Sequence, residues 1–218
     1  MKSKLNPHHH FYCHPIFKAI VFSVLYIILS IIVNTDIFRD YDYRLMLYLQ
    51  KVISPKLDGL FSLLTYTGSG EFTVLIIVCL FLWLLFRKKK LFMGIFIFFS
   101  IMIIELSGKL MVYHPKPPPF FTRSVVYIRL PTSMFIETSY SYPSGHIARV
   151  FFVLTIFIFF LSNLKIRGLY KKGMYILIFL YMVVMIISRV YLGEHWISDV
   201  FGGILLGSAI ANFSLLFW

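Results

Sequence analysis

A chain of 218 residues with 59% hydrophobic and 19% aromatic residues is too apolar for an ordinary soluble domain, in which about 45–50% of residues are apolar. The net charge of +12 does not indicate a nucleic-acid-binding protein, because the charged residues lie between long apolar runs and form no continuous basic face. The two cysteines, Cys13 and Cys79, offer neither a disulfide framework nor a metal-binding spacing. The composition therefore predicts an integral membrane protein.

Six segments are apolar over a length that predicts a membrane-spanning helix, since about 20 residues rising about 1.5 Å each cross a bilayer. They cover residues 16–34, 70–87, 91–113, 147–164, 172–189 and 199–218. The first segment is too long for a signal peptide and has no small-residue cleavage site, so it is expected to be retained. Between the first and second spans, residues 41–66 predict two short interfacial helices. The predicted fold is an all-α integral membrane protein with one domain over residues 1–218.

The distribution of basic residues predicts the orientation of the helices. With the N-terminus in the cytoplasm, the inner segments are residues 1–18, 87–90 and 165–172, which hold eleven of the 21 Lys and Arg residues and none of the nine Asp and Glu. Short, densely basic loops are typical of the cytoplasmic side. The sequence therefore predicts a multi-pass protein of the inner (plasma) membrane, and it places the other helix ends on the periplasmic or extracellular side.

Three polar stretches lie at these predicted outer helix ends, where ionisable residues are costly and indicate function. They are residues 108–117, 142–146 and 188–199. Cleavage of a phosphate ester requires a clamp for the charged oxygens, an in-line nucleophile and a proton for the leaving oxygen. Because the three stretches together contain cations, histidines and a carboxylate, they predict a site for phosphate-ester chemistry.

The third stretch predicts the nucleophile. His195 and Asp199 are four residues apart and share a face of the helix that begins there. A carboxylate on one imidazole nitrogen fixes the tautomer and leaves the other nitrogen free to attack phosphorus. His146 is then expected to protonate the departing alkoxide and later to activate water. The intermediate between the two half-reactions would be a phosphohistidine.

The phosphate clamp is predicted from charge and from a helix start. Residues 143–146 begin a helix, where free backbone N–H groups favour an anion and Gly145 allows close approach. The expected phosphate ligands are Lys109, Lys116, Ser144, Gly145 and Arg189. Arg149 suits either a head-group contact or an ion pair with Glu137 or Glu194. Glu105, four residues before Lys109, is predicted to be the ion-pair partner of that lysine.

In their order and spacing, the three stretches resemble the type-2 phosphatidic acid phosphatase superfamily. The pattern of that family is Lys, six residues, Arg-Pro; then Pro-Ser-Gly-His; then Ser-Arg, five residues, His, three residues, Asp. This chain has Lys109 and Lys116-Pro117, Pro143 to His146, and Ser188-Arg189 with His195 and Asp199. Lys116 replaces the arginine of the family and loses its bidentate fork.

The resemblance covers a six-helix core of about residues 35–218. It implies a metal-independent reaction without a cofactor, on a lipid phosphate or diphosphate such as phosphatidic acid, phosphatidylglycerol phosphate or undecaprenyl diphosphate. The same histidine would also serve a lipid phosphotransferase, provided that the site excludes water in favour of an acceptor lipid. An anion transporter or scaffold is the third alternative, and it predicts that the two histidines are dispensable.

Two further features carry expectations about packing and substrate selection. Gly203, Gly207 and Ala211 form a small-residue stripe that predicts close helix packing, either within the bundle or between two protomers of a homodimer. Residues 117–142 form a long outer loop, and a loop of this length is often functional. It is expected to act as a lid or to read the substrate head group.

Overall fold

The computed structural model describes residues 7–86, 93–125 and 138–217. In these ranges the chain forms eight α-helices: α1 (Pro7–Asn34), α2 (Arg39–Val52), α3 (Asp58–Thr65), α4 (Gly70–Phe86), α5 (Met93–Met111), α6 (Gly145–Asn163), α7 (Gly168–Tyr191) and α8 (Ile197–Ser214). Extended pairing in the described ranges is limited to one isolated bridge, between Pro115 and Tyr140. The prediction of an all-α fold is confirmed.

The number of membrane-spanning helices is confirmed only in part. Four described segments are long and apolar enough to cross a bilayer: Pro15–Asn34, Gly145–Asn163, Gly168–Tyr191 and Ile197–Phe217. Residues Pro55–Gly68 and Gly70–Trp83 form a fifth if this pair, bent by 46°, is one broken span. Because the bend also fits a re-entrant segment, the interfacial position of α3 and the total of six spans stay predictions.

Helix α8 lies at the centre of the bundle and packs against α1, α5, α6 and α7. Its glycines allow the backbone of α6 to approach closely. A Cβ at Gly203 would collide with the backbone oxygen of Ser144, and a Cβ at Gly207 would collide with that of Ala148. The predicted small-residue stripe therefore packs within the bundle, where it presses the start of α6 against the start of α8.

The bundle is apolar on both its inside and its outside. A buried cluster with Phe98, Phe152 and Leu206 lies between α5, α6 and α8. A second cluster contains Met185 and Val190 of α7 and Trp196, which directly precedes α8. Helix α1, in contrast, is only 11% buried within its spanning window, although its mean hydropathy is 2.7. Lipid must solvate most of that helix, since water would not.

The middle of the expected lid at residues 117–142, positions 126–137, lies outside the described residues. Its first turn, Pro119–Phe121, is described and is anchored. Phe121 is buried, packs edge-on against Trp196 with 6.2 Å between ring centroids, and accepts a 2.7 Å hydrogen bond from Gln50 Nε2 at its backbone oxygen. The start of the loop therefore packs against the turn that carries His195.

Candidate active site

The turn between α7 and α8 holds His195. Gly193 has a φ of +70°, which lets the chain reverse direction at this point. The backbone N–H groups of Glu194 and His195 then both donate to the backbone oxygen of Arg189, at 3.2 Å each. This turn places His195 beside the C-terminal end of α7 and directly before the first turn of α8.

Asp199 orients the His195 ring. Its Oδ2 lies 3.1 Å from His195 Nδ1 and also accepts the backbone N–H of Trp196 at 3.1 Å, which caps the start of α8. Asp199 is completely buried, so its oxygens have no water to satisfy them. The contact favours the tautomer in which Nδ1–H donates to the carboxylate, and it leaves Nε2 with a free lone pair.

The surroundings of His195 set its protonation state. Burial lowers the pKa of its imidazole, the hydrogen bond to Asp199 raises it, and the charges of Arg189 and Lys109 lower it again. The net result is a pKa below the usual value of His. His195 is therefore neutral around pH 7, which is the state that a nucleophile requires.

The second stretch lies against this turn. The Ser144 backbone N–H donates to the backbone oxygen of Asp199 at 2.9 Å and so joins the start of α6 to the first turn of α8. Ser144 is fully buried, and its Oγ has no hydrogen-bond partner among the described residues. The next residues begin α6 with Gly145 and half-buried His146, which lies within electrostatic range of His195 and Arg189.

Glu105 links the first and second stretches. Its carboxylate pairs with Lys109 Nζ at 2.6 Å and with Arg149 Nη1 at 2.6 Å, and it lies where a Cβ on Gly145 would be. The predicted pair of Glu105 with Lys109 is confirmed. For Arg149 the expected partner Glu194 was wrong, because Glu105 reaches it across the α5–α6 contact; the alternative, Glu137, lies outside the described residues.

Arg189 is a buried cation at the end of α7. It is 3% exposed, forms an ion pair with Glu194, and donates from Nη1 to Thr65 Oγ1 on α3. Its Nε has no hydrogen-bond partner in the described part of the chain. A buried guanidinium with one donor unsatisfied is costly on its own. That cost decreases when an anion binds beside it.

Lys116 lies apart from the other expected phosphate ligands. Its side chain is exposed, and among the described contacts no hydrogen bond or ion pair joins it to another residue of the cluster. It lines a cavity of about 190 Å³ together with Arg39, His114 and Trp196. His195 is not among the residues that line this cavity, so Lys116 is at the rim of the candidate site.

Comparison with known proteins identifies the family of this chain. Residues 106–218, more than half of the chain, match the family model of the PAP2 superfamily. The chain belongs to the PAP2 superfamily. This result confirms the family that the three stretches indicate, and the matched part contains all three of them.

Two relatives and one solved structure are similar to this PAP2 protein. It is 26% identical to phosphatidylglycerophosphatase B of Bacillus subtilis over 88% of its own length and 90% of the relative. It is 33% identical to an undecaprenyl-diphosphatase of Sulfolobus acidocaldarius over 61% of its length and 58% of the relative. The crystal structure of a PAP2-type phosphatidylglycerolphosphate phosphatase from Bacillus subtilis superposes with a TM-score of 0.74 at 24% identity, covering 91% of this chain and 94% of that one.

Several residues near the His195–Asp199 pair, which we call the dyad, were not predicted from the sequence. Asp42 on α2 and Ser198 on α8 surround the ring of His114, and Thr65 on α3 contacts Arg189. His114 belongs to the first polar stretch, so its position was visible in the sequence, although its role was not. No local spacing indicates Asp42 or Thr65, because each reaches the site from a distant helix. Ser198 lies in the third stretch beside Asp199, but its spacing does not indicate that it contacts His114.

Proposed function

We propose that this PAP2 protein is a membrane lipid phosphatase that hydrolyses a phosphate monoester or diphosphate of a lipid through a phosphohistidine on His195. The observation that supports this most directly is the His195–Asp199 pair, which lies beside the start of α6 and within electrostatic range of Lys109 and Arg189. A neutral imidazole with one oriented nitrogen and a free second nitrogen suits attack on phosphorus. The cations beside it suit the charge of the phosphoryl group.

In the first half-reaction, Nε2 of His195 forms a bond to phosphorus while the bond between phosphorus and the leaving oxygen breaks. That oxygen belongs to the lipid alcohol in a monoester and to the lipid monophosphate in a diphosphate. The Nδ1–H group, held by Asp199, stabilises the positive charge that develops on the ring. His146 gives a proton to the leaving oxygen. Lys109, Arg189 and the backbone N–H groups at the start of α6 hold the phosphoryl oxygens, with Ser144 Oγ as a further donor.

In the second half-reaction, water attacks the phosphohistidine. His146, now unprotonated, accepts a proton from that water as the bond between nitrogen and phosphorus breaks. Inorganic phosphate leaves, and neutral His195 is restored. Since Lys109, Arg149 and Arg189 supply the positive charge that a metal ion provides in other phosphatases, we propose that the reaction is metal-independent.

The substrate class follows from the membrane and from the relatives. The relatives are named for phosphatidylglycerophosphate and undecaprenyl diphosphate, and a site at the end of apolar helices suits a substrate whose acyl or prenyl chains stay in the bilayer. We propose phosphatidic acid, phosphatidylglycerol phosphate and undecaprenyl diphosphate as candidates. From the basic inner loops, we also propose that the site faces the periplasmic or extracellular side of an inner (plasma) membrane.

The test is a release assay with purified protein. Each of the three lipids is offered in mixed micelles, and both inorganic phosphate and labelled acceptor lipid are measured. We expect free phosphate from at least one lipid, and its loss in His195→Ala. Asn212→Ala, which changes a buried polar residue further along α8, serves as the folding control. Label in an acceptor lipid with little free phosphate would instead indicate a phosphotransferase, and full activity of His195→Ala would contradict the mechanism.

A further inference from the structure

His114 is a buried histidine that the proposed reaction does not use. It is 2% exposed, and its backbone oxygen accepts hydrogen bonds from Ser141 N–H at 3.0 Å and from Ser141 Oγ at 3.2 Å, which fix its position after α5. Its Nε2 faces three oxygens: Ser198 Oγ at 3.0 Å, Asp42 Oδ2 at 3.5 Å and Asp199 Oδ1 at 3.6 Å. The ring therefore lies between the carboxylate of the dyad and a second buried carboxylate.

The hydrogen bonds around Ser198 determine where the proton on this ring lies. Ser198 donates its backbone N–H to Asp42 Oδ1 at 3.0 Å and its hydroxyl to Asp42 Oδ2 at 2.7 Å. Because an ionised carboxylate only accepts, the hydroxyl proton of Ser198 points towards Asp42. The lone pairs of Ser198 Oγ then accept from His114. Nε2 of His114 therefore carries a proton.

The charges around His114 favour a positive ring, although its Nδ1 has no hydrogen-bond partner among the described residues. Asp42 is 1% exposed and Asp199 is 0% exposed, and two buried carboxylates near one nitrogen are unfavourable without a positive partner. Oδ2 of Asp199 is used by His195 and Trp196, whereas its Oδ1 has no hydrogen-bond partner among the described residues. His114 is the group that faces this oxygen. A protonated imidazole at this position balances the charge of both acids.

The pKa of His114 supports the same assignment. Burial lowers it, but the hydrogen bond with Asp42 and the charges of Asp199 and Asp42 outweigh burial, and the net result lies above the usual value of His. The other charged groups around the ring are Asp36, which raises the pKa further, and Arg39 and Lys116, which line the same cavity. His114 is therefore protonated below its raised pKa, and that range includes the lowered pKa of His195.

We propose that protonated His114 is a positioning residue that balances the buried charge of Asp199 and keeps its carboxylate directed at His195, so that the dyad extends into a chain of His195, Asp199, His114 and Asp42. This inference rests on the proposed function. Without the positive charge at His114, the charge of Asp199 is uncompensated and a proton binds more readily to the His195 ring. A protonated His195 has no lone pair for phosphorus, so the nucleophile is weaker.

The test separates charge from shape. His114→Gln keeps an N–H donor without the charge, and His114→Asn is a second neutral variant should the first not fold. His114→Arg restores a permanent charge, and the adjacent cavity of about 190 Å³ gives the longer side chain room. Phosphate release from phosphatidic acid is measured from about pH 5 to about pH 9, the range in which histidines titrate, together with the unfolding temperature of each variant.

We expect His114→Gln to lower kcat by about 10–100-fold, as for other residues that orient a reacting group from behind. KM should change little, since His114 does not contact the phosphate. The acidic limb of the kcat/KM profile should move up by about one pH unit, because the uncompensated charge of Asp199 raises the pKa of His195. His114→Arg should return the acidic limb to its wild-type position and restore most of kcat. Asn212→Ala should leave the limb and kcat unchanged.

The inference would be overturned if the acidic limb stayed at the wild-type position in a folded neutral variant. A fall in kcat would not rescue it, because a purely structural role lowers the amount of active enzyme without moving the limb. A limb that moves up equally in His114→Arg would overturn it as well. Activity that survives in His195→Ala would remove the proposed function and this inference together. If activity depends on His195 but the acidic limb does not depend on the charge at His114, the inference fails and the proposed function stands.

Discussion

Glu105 lies where the proposed function places the incoming phosphate. Its carboxylate is 2.6 Å from both Lys109 Nζ and Arg149 Nη1 and touches Gly145 at the start of α6. Phosphate oxygens favour the same donors and the same helix end. Glu105 therefore competes with substrate and product for the cations, and at the same time it holds those cations in place.

The change Glu105→Gln removes the negative charge and keeps the shape. Loss of one partner from a buried ion pair costs about 3–5 kcal/mol, which corresponds to a fall of roughly 6–20 °C in unfolding temperature for a chain of this size. The glutamine must also turn its NH₂ donor towards one of the two cations. Because the cations are then uncompensated, we expect inorganic phosphate to bind at least about tenfold more tightly, or about 1.4 kcal/mol.

The assay measures the inhibition constant of inorganic phosphate and the unfolding temperature with and without phosphate. Phosphate should restore much of the lost stability in Glu105→Gln, since it replaces the missing anion. Asp40→Asn, which removes the same charge from an exposed site on α2, is the matched control. An unchanged or weaker phosphate inhibition in Glu105→Gln would refute the idea that its carboxylate occupies the phosphate position.

Three further predictions concern the clamp and the nucleophile. Arg189→Ala should lower kcat about 10²–10³-fold, the usual effect of losing one donor to a developing charge, and a loss confined to KM would contradict its place in the clamp. Lys116→Arg and Lys116→Ala should both keep an activity within about tenfold of wild type, because an exposed rim charge contributes little. Loss of activity in Lys116→Ala would show that Lys116 does help to hold the phosphate. The value of kcat/KM should show no acidic limb around pH 7. It should fall only as the pH drops through the lowered pKa of His195, since the protonated ring cannot attack. An acidic limb above the usual pKa of His would contradict that assignment.

Contacts within one helical turn could be predicted from the sequence. Glu105 and Lys109 are four residues apart within α5, and helix geometry alone brings such a pair together. His195 and Asp199 have the same spacing and are in contact, although His195 lies in the turn before α8 and not on the helix itself. The small-residue spacing of Gly203 and Gly207 likewise predicted close packing, although not that α6 is the partner. These predictions depend only on local geometry, which few tertiary arrangements can override.

Contacts between distant helices could not be predicted in this way. Arg149 reaches Glu105 because α6 packs against α5, and Asp42 reaches Ser198 because α2 lies against α8. Nothing in the local sequence distinguishes Asp42 from its exposed neighbour Asp40. The rim position of Lys116 depends on the path of the chain after α5, and a match in spacing to the family pattern does not reveal that path.

The most direct test of the account is to trap the intermediate. Wild-type enzyme is mixed with lipid phosphate labelled in its phosphoryl group, quenched within one turnover, and analysed for labelled protein. We expect label that is stable in alkali and released by acid, as for a phosphohistidine, located on His195 by peptide mapping and absent from His195→Ala. We also expect more label to accumulate in His146→Ala if attack survives there, because the base for hydrolysis is missing. Label on another residue, or active wild-type enzyme that never carries label, would contradict the account.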